Sequence, residues 1–396
     1  MGYLSPMSFL GILPPLLFSA AFLLPAVYLW RSDRRGYALV PAFTALLLLS
    51  FTVAVYIQDV KRIQALHDLD VLLAEIDRPE LLDLTDLNDH EELLFLASAA
   101  SQALYRGLEY APPATQDRID VALLYLADWV TDRSNFREWR RGVDWDRQVF
   151  FAAHAGAVLG HYQLATGDER FATQFQRVGE TLGTRLRRAR YKHLASRPEE
   201  GFLRPADNAA ALYATSLYDQ YYGETYTAGS LEEWAEYVRR ELYFAESRLP
   251  CAAFNATNVC RLEPSAVATG LYISYRAAAR PAAVTNDIPF VEWSHYFRRG
   301  NFTPFSLTVS PNMRAGRDTK FCEIGVQPLR CGRYERSVGL WAASEYGGWY
   351  TYFRLFTGPV LRRWLRGRPD FGGLTGPGRT VAVTGLALRL IGEGHR

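Results

Sequence analysis

The residues best suited to chemistry in this chain stand at the predicted starts of two helices. His154 opens the segment HAGAVLGHYQLATG, in which apolar or small residues return every three or four positions until Gly167 ends the pattern. Asp207 follows a Pro-containing loop and leads into a second apolar helix, which Gly223 ends. Histidine titrates near neutral pH, and a carboxylate beside it orients the imidazole and raises its pKa. We therefore predict a proton-transfer site that contains His154 and Asp207, with helix capping as the alternative role of Asp207.

Three further carboxylates stand near predicted helix starts. Glu263 directly precedes a helix and is our third catalytic candidate. Asp144 and Asp146 lie just upstream of the His154 helix, where they either bind substrate or cap that helix. Paired carboxylates hydrolyse glycosidic bonds, because one donates a proton while the other acts as base or nucleophile. The sequence therefore keeps a glycan-cleaving site open.

Aromatic and hydrogen-bonding side chains accompany these candidates. Aromatic residues make up 14% of the chain, enough to line an interior pocket. Aromatic rings bind sugars and also stabilise carbocations, so composition does not choose between a glycan and an alkenol, and packing is the ordinary role of any one tyrosine. The residues that we predict to bind substrate, besides the two aspartates, are Tyr162, Arg204, Asn208, Tyr213 and Tyr272.

The spacing of these residues resembles the core of the linalool dehydratase-isomerase family. That family folds as an (α/α)6 barrel and adds or removes water on a tertiary terpene alcohol. The resemblance implies the same fold, lyase or isomerase chemistry on an alcohol, and His154 as the active-site histidine. Two departures concern the reaction: Arg204 occupies the position of the first family cysteine and the second has no counterpart, while Ala99 stands where the family has its catalytic aspartate. The matching residues are His154, Gly160, Tyr162, Gln163, Leu164, Thr166, Gly167, Asp207, Asn208, Tyr218, Asp219, Gly223 and Tyr226.

The elements that must position these residues are mostly amphipathic helices. Their alternation with loops, without a Gly/Ser linker or a long strand pattern, predicts one all-α domain over 61–396, an (α/α)6 toroid of helical hairpins. The segment 281–336 is the least helical and predicts loops and a small β-hairpin over one mouth of the barrel. The predicted helices are 90–109, 116–132, 146–166, 170–191, 208–222, 230–246, 263–277, 337–356 and 380–392.

The first sixty residues predict a membrane anchor. Segments 9–30 and 37–57 carry no charge, and each is long enough to cross a hydrocarbon core of about 30 Å. The turn between them contains Arg31, Arg34 and Arg35, which favours a cytoplasmic turn. We therefore expect a two-helix hairpin over 1–60 that binds the cytoplasmic (inner) membrane through residues 9–57, with the globular domain on the extracytoplasmic, periplasmic side. A signal peptide is the alternative for the first segment, but the segment lacks a basic start and contains two prolines.

The four cysteines support an external domain. They form two pairs with equal spacing, Cys251 with Cys260 and Cys322 with Cys331, and each pair encloses a plausible turn. This spacing favours two disulfides across hairpins. Zinc is the alternative, but its ligands are usually two to four residues apart and no histidine lies near either pair.

Charge and motifs exclude several classes of function. The net charge is +2, with basic and acidic residues nearly equal in number, so we predict no nucleic-acid partner. The chain contains no P-loop, dinucleotide fingerprint, zinc-protease motif or serine-hydrolase motif, and we predict no cofactor and no metal. Three functions stay open: a dehydratase-isomerase-like lyase, a glycan-active hydrolase or lyase, and a non-catalytic envelope scaffold. The sequence leaves the oligomeric state open, a homo-oligomer included.

Overall fold

A computed structural model describes twelve parts of the chain: 6–83, 90–140, 148–195, 202–279, 288–299, 307–309, 321–324, 327–330, 334–346, 348–367, 371 and 373–394. Helices dominate these parts, so the all-α prediction is confirmed. The helices are α1 Pro6–Ala21, α2 Leu23–Arg31, α3 Arg35–Val60, α4 Ile63–Ile76, α5 His90–Gly107, α6 Pro113–Thr131, α7 Val149–Thr166, α8 Ala172–Arg188, α9 Pro205–Tyr222, α10 Ser230–Glu241, α11 Ala266–Ala278, α12 Ile288–Ser294, α13 Tyr334–Glu345, α14 Trp349–Arg366 and α15 Gly376–Gly394.

Six of these helices form a closed ring. Helices α5, α7, α9, α11 and α13 each pack against the next odd-numbered helix, and α15 packs back against α5. The even-numbered helices α4, α6, α8 and α14 lie against this ring. Helix α7 shows why the ring helices are not amphipathic: every residue from Val149 to Gln163 is buried, because neighbours and the ring interior enclose it on all sides.

The ring helices run in one direction and give the barrel two different ends. Arg106, near the end of α5, pairs with Glu345 at the end of α13 and donates a 2.7 Å hydrogen bond to the carbonyl of Ile391 in α15. The carboxyl ends of these helices therefore meet at one end, which we call the plain end, where connections such as 108–112 and 346–348 are short. The segments that enter the ring helices are mostly longer, and they gather at the other end, the elaborated mouth.

Small antiparallel hairpins belong to the elaborated mouth. Strands β1 Tyr243–Phe244 and β2 Leu249–Pro250 pair before α11, as do β3 Ala253–Phe254 and β4 Cys260–Leu262. Two more pairs precede α13, namely β5 Phe297–Arg299 with β6 Leu307–Val309 and β7 Phe321–Ile324 with β8 Gln327–Arg330. Small hairpins thus occur within 281–336, as predicted. Long connections in a compact domain usually carry function, which points to this end.

The cysteine predictions have different outcomes. Cys251 and Cys260 form a disulfide that joins the end of β2 to β4, and this prediction is confirmed. Cys322 lies in β7, but Cys331 lies outside the described residues, so the second bond stays a prediction.

Three helix predictions need correction. The predicted helix 230–246 ends at Glu241, since Tyr243–Phe244 form strand β1. The predicted helix 337–356 is two helices, α13 and α14, because the chain reverses at a Gly-containing turn before Trp349. Helix α9 begins at Pro205 rather than after Asp207, since proline fits the first helical position. Arg204 therefore occupies the N-cap position, and Asp207 is a first-turn residue rather than a cap.

The N-terminal segment contains two helical stretches long and apolar enough to cross a membrane. They cover Gly11–Arg31 and Arg35–Val60, with mean hydropathies of 2.0 and 2.3. In the most apolar 18-residue window of each stretch, 22% is buried, so most of that window is not enclosed by the protein. A turn at 32–34 joins them into a hairpin.

Candidate active site inside the helical ring

His154 lies inside the ring, on the part of α7 nearer the elaborated mouth. It is 2% exposed, and its Nδ1 lies 3.0 Å from the hydroxyl of Ser98 in α5. The rings of Phe95 and Phe150 meet the imidazole edge-on at 5.3 and 4.5 Å between centroids. These contacts fix the orientation of the imidazole.

A phenol lies beside this histidine, and a carboxylate lies near that phenol. Tyr275 of α11 lies 6.1 Å from His154 between ring centroids. Burial raises the pKa of the Tyr275 phenol, the nearby Ser98 hydroxyl lowers it, and the nearby Asp207 carboxylate raises it again, with a net increase. Asp207 is 8% exposed, and its Oδ2 is buried without a hydrogen-bond partner in the described part of the chain. We call Ser98, His154, Asp207 and Tyr275 the His154 cluster.

A second layer of polar side chains lies beside the cluster, toward the plain end. His161 stands between the hydroxyls of Ser101 at 2.9 Å and Tyr213 at 2.8 Å. Burial, and then the positive charge of Arg106, lowers the pKa of His161 to about 3, so its imidazole is neutral. Tyr213 also contacts Tyr275, at 5.7 Å between centroids. The predicted binding residue Tyr213 is therefore part of the layer that supports the cluster.

The structure does not bring Tyr162 to His154. Tyr162 lies eight residues further along α7, about 12 Å toward the plain end. Its hydroxyl donates a 2.6 Å hydrogen bond to Asp168. Burial, and then this hydrogen bond, raises the pKa of Tyr162 to about 12.

Asn208 acts as a clamp on a neighbouring loop. Its amide oxygen accepts a hydrogen bond from the Leu194 backbone, and its amide nitrogen donates to the carbonyls of Leu194 and Arg204. The same nitrogen lies 3.3 Å from Nε2 of His193. These bonds hold the start of α9 against the segment that precedes it.

The other predicted site residues have diverse positions. Arg204 is buried at the start of α9, close in sequence to Asp207. Glu263 is exposed just before α11, which is capped by Ser265. Tyr272 is buried against Trp234 of α10. Asp144 and Asp146 lie outside the described residues, and the roles of all these residues stay predictions.

Sequence reasoning missed Ser98 and did not select Tyr275 or Gln102. Gln102 is 1% exposed, and neither atom of its amide has a hydrogen-bond partner in the described part of the chain. It stands one turn from both Ser98 and Arg106 on the same face of α5. Small polar residues at helical spacing within an otherwise apolar helix are the signal that could have revealed this face.

Comparisons with known proteins assign no family. No protein-family model matches the chain, and no curated protein matches it. A similar solved structure is the glycoside hydrolase from family 105 of C. acetobutylicum ATCC 824, with 11% sequence identity and a TM-score of 0.46. The similarity covers 82% of this chain and 98% of that chain.

Proposed function

We propose that this chain is an extracytoplasmic acid–base enzyme that cleaves a glycan by elimination. The observation that carries the proposal is the His154 cluster, because a histidine, a tyrosine and a carboxylate come together from three ring helices. In this proposal the cluster serves an (α/α)6 barrel over 61–396, and the hairpin over 1–60 anchors it in the cytoplasmic membrane. The disulfide between Cys251 and Cys260 supports an oxidising compartment.

Buried polar atoms on the ring helices that have no hydrogen-bond partner support a hydroxyl-rich substrate. In the described part of the chain, the Gln102 amide, Asp207 Oδ2 and the Ser274 hydroxyl are buried without hydrogen-bond partners. A buried polar group without a partner costs about 1–3 kcal/mol, and sugar hydroxyls can supply the missing bonds. A terpene alcohol has a single hydroxyl and leaves most of these atoms unpaired.

The cluster fits β-elimination better than hydrolysis. Hydrolysis needs two carboxylates flanking the bond, and Asp207 is the carboxylate that the described residues place in the cluster. Elimination next to a sugar carboxylate needs a base, an acid and a positive charge. His154 and Tyr275 supply the first two, and Arg204 at the start of α9 supplies the charge that binds the substrate carboxylate.

The proposed elimination moves two protons and breaks one carbon–oxygen bond. His154 takes the proton from the carbon next to the substrate carboxylate, and the released electron pair forms a carbon–carbon double bond. The bond from the adjacent carbon to the glycosidic oxygen breaks, and Tyr275 gives that oxygen a proton. Because Ser98 bonds His154 and its hydroxyl also lies near Tyr275, Ser98 then relays the proton from the histidine back to the tyrosine. The raised pKa of Tyr275 favours this return.

The test uses the full chain in detergent with a panel of uronate-containing polysaccharides. The unsaturated product is measured by ultraviolet absorbance. His154→Asn and Tyr275→Phe should each lower turnover by about 10²–10⁴-fold, because each removes a proton-transfer group. Tyr218→Phe, a buried tyrosine of α9 that packs on α8, is the matched control and should retain activity. New reducing ends without a double bond would show hydrolysis and refute elimination.

A second candidate is dehydration or isomerisation of an alkenol. The aromatic rings of Phe95, Phe150 and Tyr275 surround His154, and such rings stabilise a carbocation. Linalool is the probe, with the same His154→Asn variant. Turnover of linalool that depends on His154, together with inactivity on every glycan, would replace the first proposal by this one.

A further inference from the structure

The last turn of α14 exposes apolar side chains between arginines. Helix α14 lies on the outside of the ring and runs from the plain end to the elaborated mouth. Leu365 is 75% exposed and Trp364 is 45% exposed, and the neighbouring Arg362 and Arg366 are exposed as well. Tryptophan, leucine and arginine together are typical of a helix end at a membrane surface.

Helix α3 packs antiparallel to α14. Tyr352 near the start of α14 donates a 2.9 Å hydrogen bond to Asp59 near the end of α3. Trp364 near the end of α14 meets Phe51, earlier in α3, at 5.9 Å between centroids. Since α14 rises toward the mouth, the part of α3 before Phe51 continues past the mouth, over about 24 Å at 1.5 Å per residue.

The contacts of helix α1 also show that the N-terminal hairpin extends past the elaborated mouth. It packs against both α3 and α14. Gly11 lies so close to the start of α14 that an added Cβ would be 2.8 Å from the carbonyl oxygen of Trp349. The start of α1 and the end of α3 therefore lie beside the start of α14, and the basic turn at 32–34 lies beyond the elaborated mouth.

The length of α3, compared with the thickness of a bilayer, puts the membrane boundary near Trp364. Helix α3 has 26 residues, about 39 Å, whereas a hydrocarbon core is about 30 Å thick. A core that begins just after Arg35 ends near Val55, which leaves Asp59 outside. Phe51, and with it Trp364, then lies within about 6 Å of the boundary.

We propose that the elaborated mouth faces the bilayer, that the last turn of α14 inserts at its surface, and that the substrate is a glycan carried on a membrane lipid. The exposed apolar surface of the hairpin continues through Phe51 onto Trp364 and Leu365, so one bilayer covers both. A headgroup in that bilayer reaches the mouth directly, whereas a soluble polymer must enter between the mouth and the membrane. The substrate class rests on the proposed function, but the orientation does not.

The orientation is tested by photocrosslinking in lipid nanodiscs of phosphatidylethanolamine and phosphatidylglycerol. Benzoylphenylalanine replaces Leu365 in one sample of the full chain and Glu224, exposed at the plain end, in the matched control. We expect lipid adducts at position 365 and none at position 224. Adducts at 224 alone, at both positions equally, or at neither would overturn the orientation.

The substrate class is tested with one uronic-acid disaccharide in two forms, linked to a dialkylglycerol in the nanodisc and free in solution. We expect kcat/KM at least tenfold higher for the linked form, and we expect Leu365→Asp to lower only that value. Equal values for the two forms would refute the lipid-linked class while the proposed function stands. Cleavage of neither form would refute the proposed function and the substrate class, and the crosslinking result would still decide the orientation.

Discussion

At the residue scale, two histidines of α7 have different surroundings although they are seven residues apart. His154 bonds Ser98 within the His154 cluster, whereas His161 is held between Ser101 and Tyr213. Burial, followed by the charge of Arg106, lowers the pKa of His161 to about 3, and burial alone lowers that of His193 to about 3. His161 and His193 are therefore neutral in the fold at pH values where they are charged in the unfolded chain.

The lower pKa of His161 and His193 in the fold than in the unfolded chain predicts a loss of stability in acid. Below about pH 6.5 the unfolded chain binds more protons than the fold, so the free energy of unfolding should fall as the pH drops from 6.5 toward 3. Each histidine contributes about 1.4 kcal/mol per pH unit. His161→Gln should lower stability at pH 7 but reduce this slope by one histidine's share, measured by urea unfolding at several pH values. An unchanged slope would show that His161 is not the source.

At the element scale, glycines set the spacing between helices. Gly179 of α8 lets the ring of Tyr218 lie directly on its backbone, where an added Cβ would be 2.1 Å from that ring. Gly160 of α7 does the same for Leu217, at 2.9 Å. Helices α7, α8 and α9 therefore approach each other more closely than larger residues would allow.

Gly179→Ala should destabilise the protein. Tyr218 has to move or α8 has to shift, and such overpacking costs about 1–3 kcal/mol. Gly378→Ala in α15 is the control, because no atom lies within 4 Å of its added Cβ, and we expect no loss there or a small gain. The measurement is the urea midpoint of each variant in the same detergent. Equal destabilisation of both would contradict the packing role of Gly179.

At the scale of the whole molecule, a buried ion pair links the ring helices α5, α13 and α15. Arg106 of α5 pairs with Glu345 of α13 and bonds the carbonyl of Ile391 in α15, and the indole of Trp341 donates a 2.7 Å hydrogen bond to Glu345. The side chains of Arg106 and Glu345 are 12% and 1% exposed. Helices from early and late parts of the chain are thus joined at the plain end.

Removing one partner of this ion pair should strongly lower the free energy of unfolding. Arg106→Met leaves the Glu345 carboxylate buried without its guanidinium, which costs about 3–5 kcal/mol. The double variant Arg106→Met/Glu345→Gln should cost less than the sum of the two single changes, because the uncompensated charge is gone. Unfolding free energies of the four proteins in a double-mutant cycle measure this coupling. If the stability losses of the two single variants add up to that of the double variant, Arg106 and Glu345 do not stabilise each other.

The sequence by itself determined the local features of this protein. Apolar periodicity located most of the helices, because the α-helix repeats over a few residues. Spacing alone indicated the disulfide between Cys251 and Cys260, which encloses a short hairpin. Periodicity could not separate α13 from α14, because a short turn interrupts the pattern only briefly. The prediction that His154 opens its helix was wrong, because α7 begins at Val149 and His154 lies in its second turn.

Only the tertiary structure decided which residues meet His154. Ser98 and Tyr275 come from α5 and α11, far from α7 in sequence, and neither carries a local signal of its partner. Tyr162 shares the helix of His154 but points to Asp168, because the rotation of a helix in the ring is set by packing. The direction of the hairpin relative to the mouth likewise depends on contacts between α3 and α14. Closing a ring brings distant segments together, and no local pattern encodes that closure.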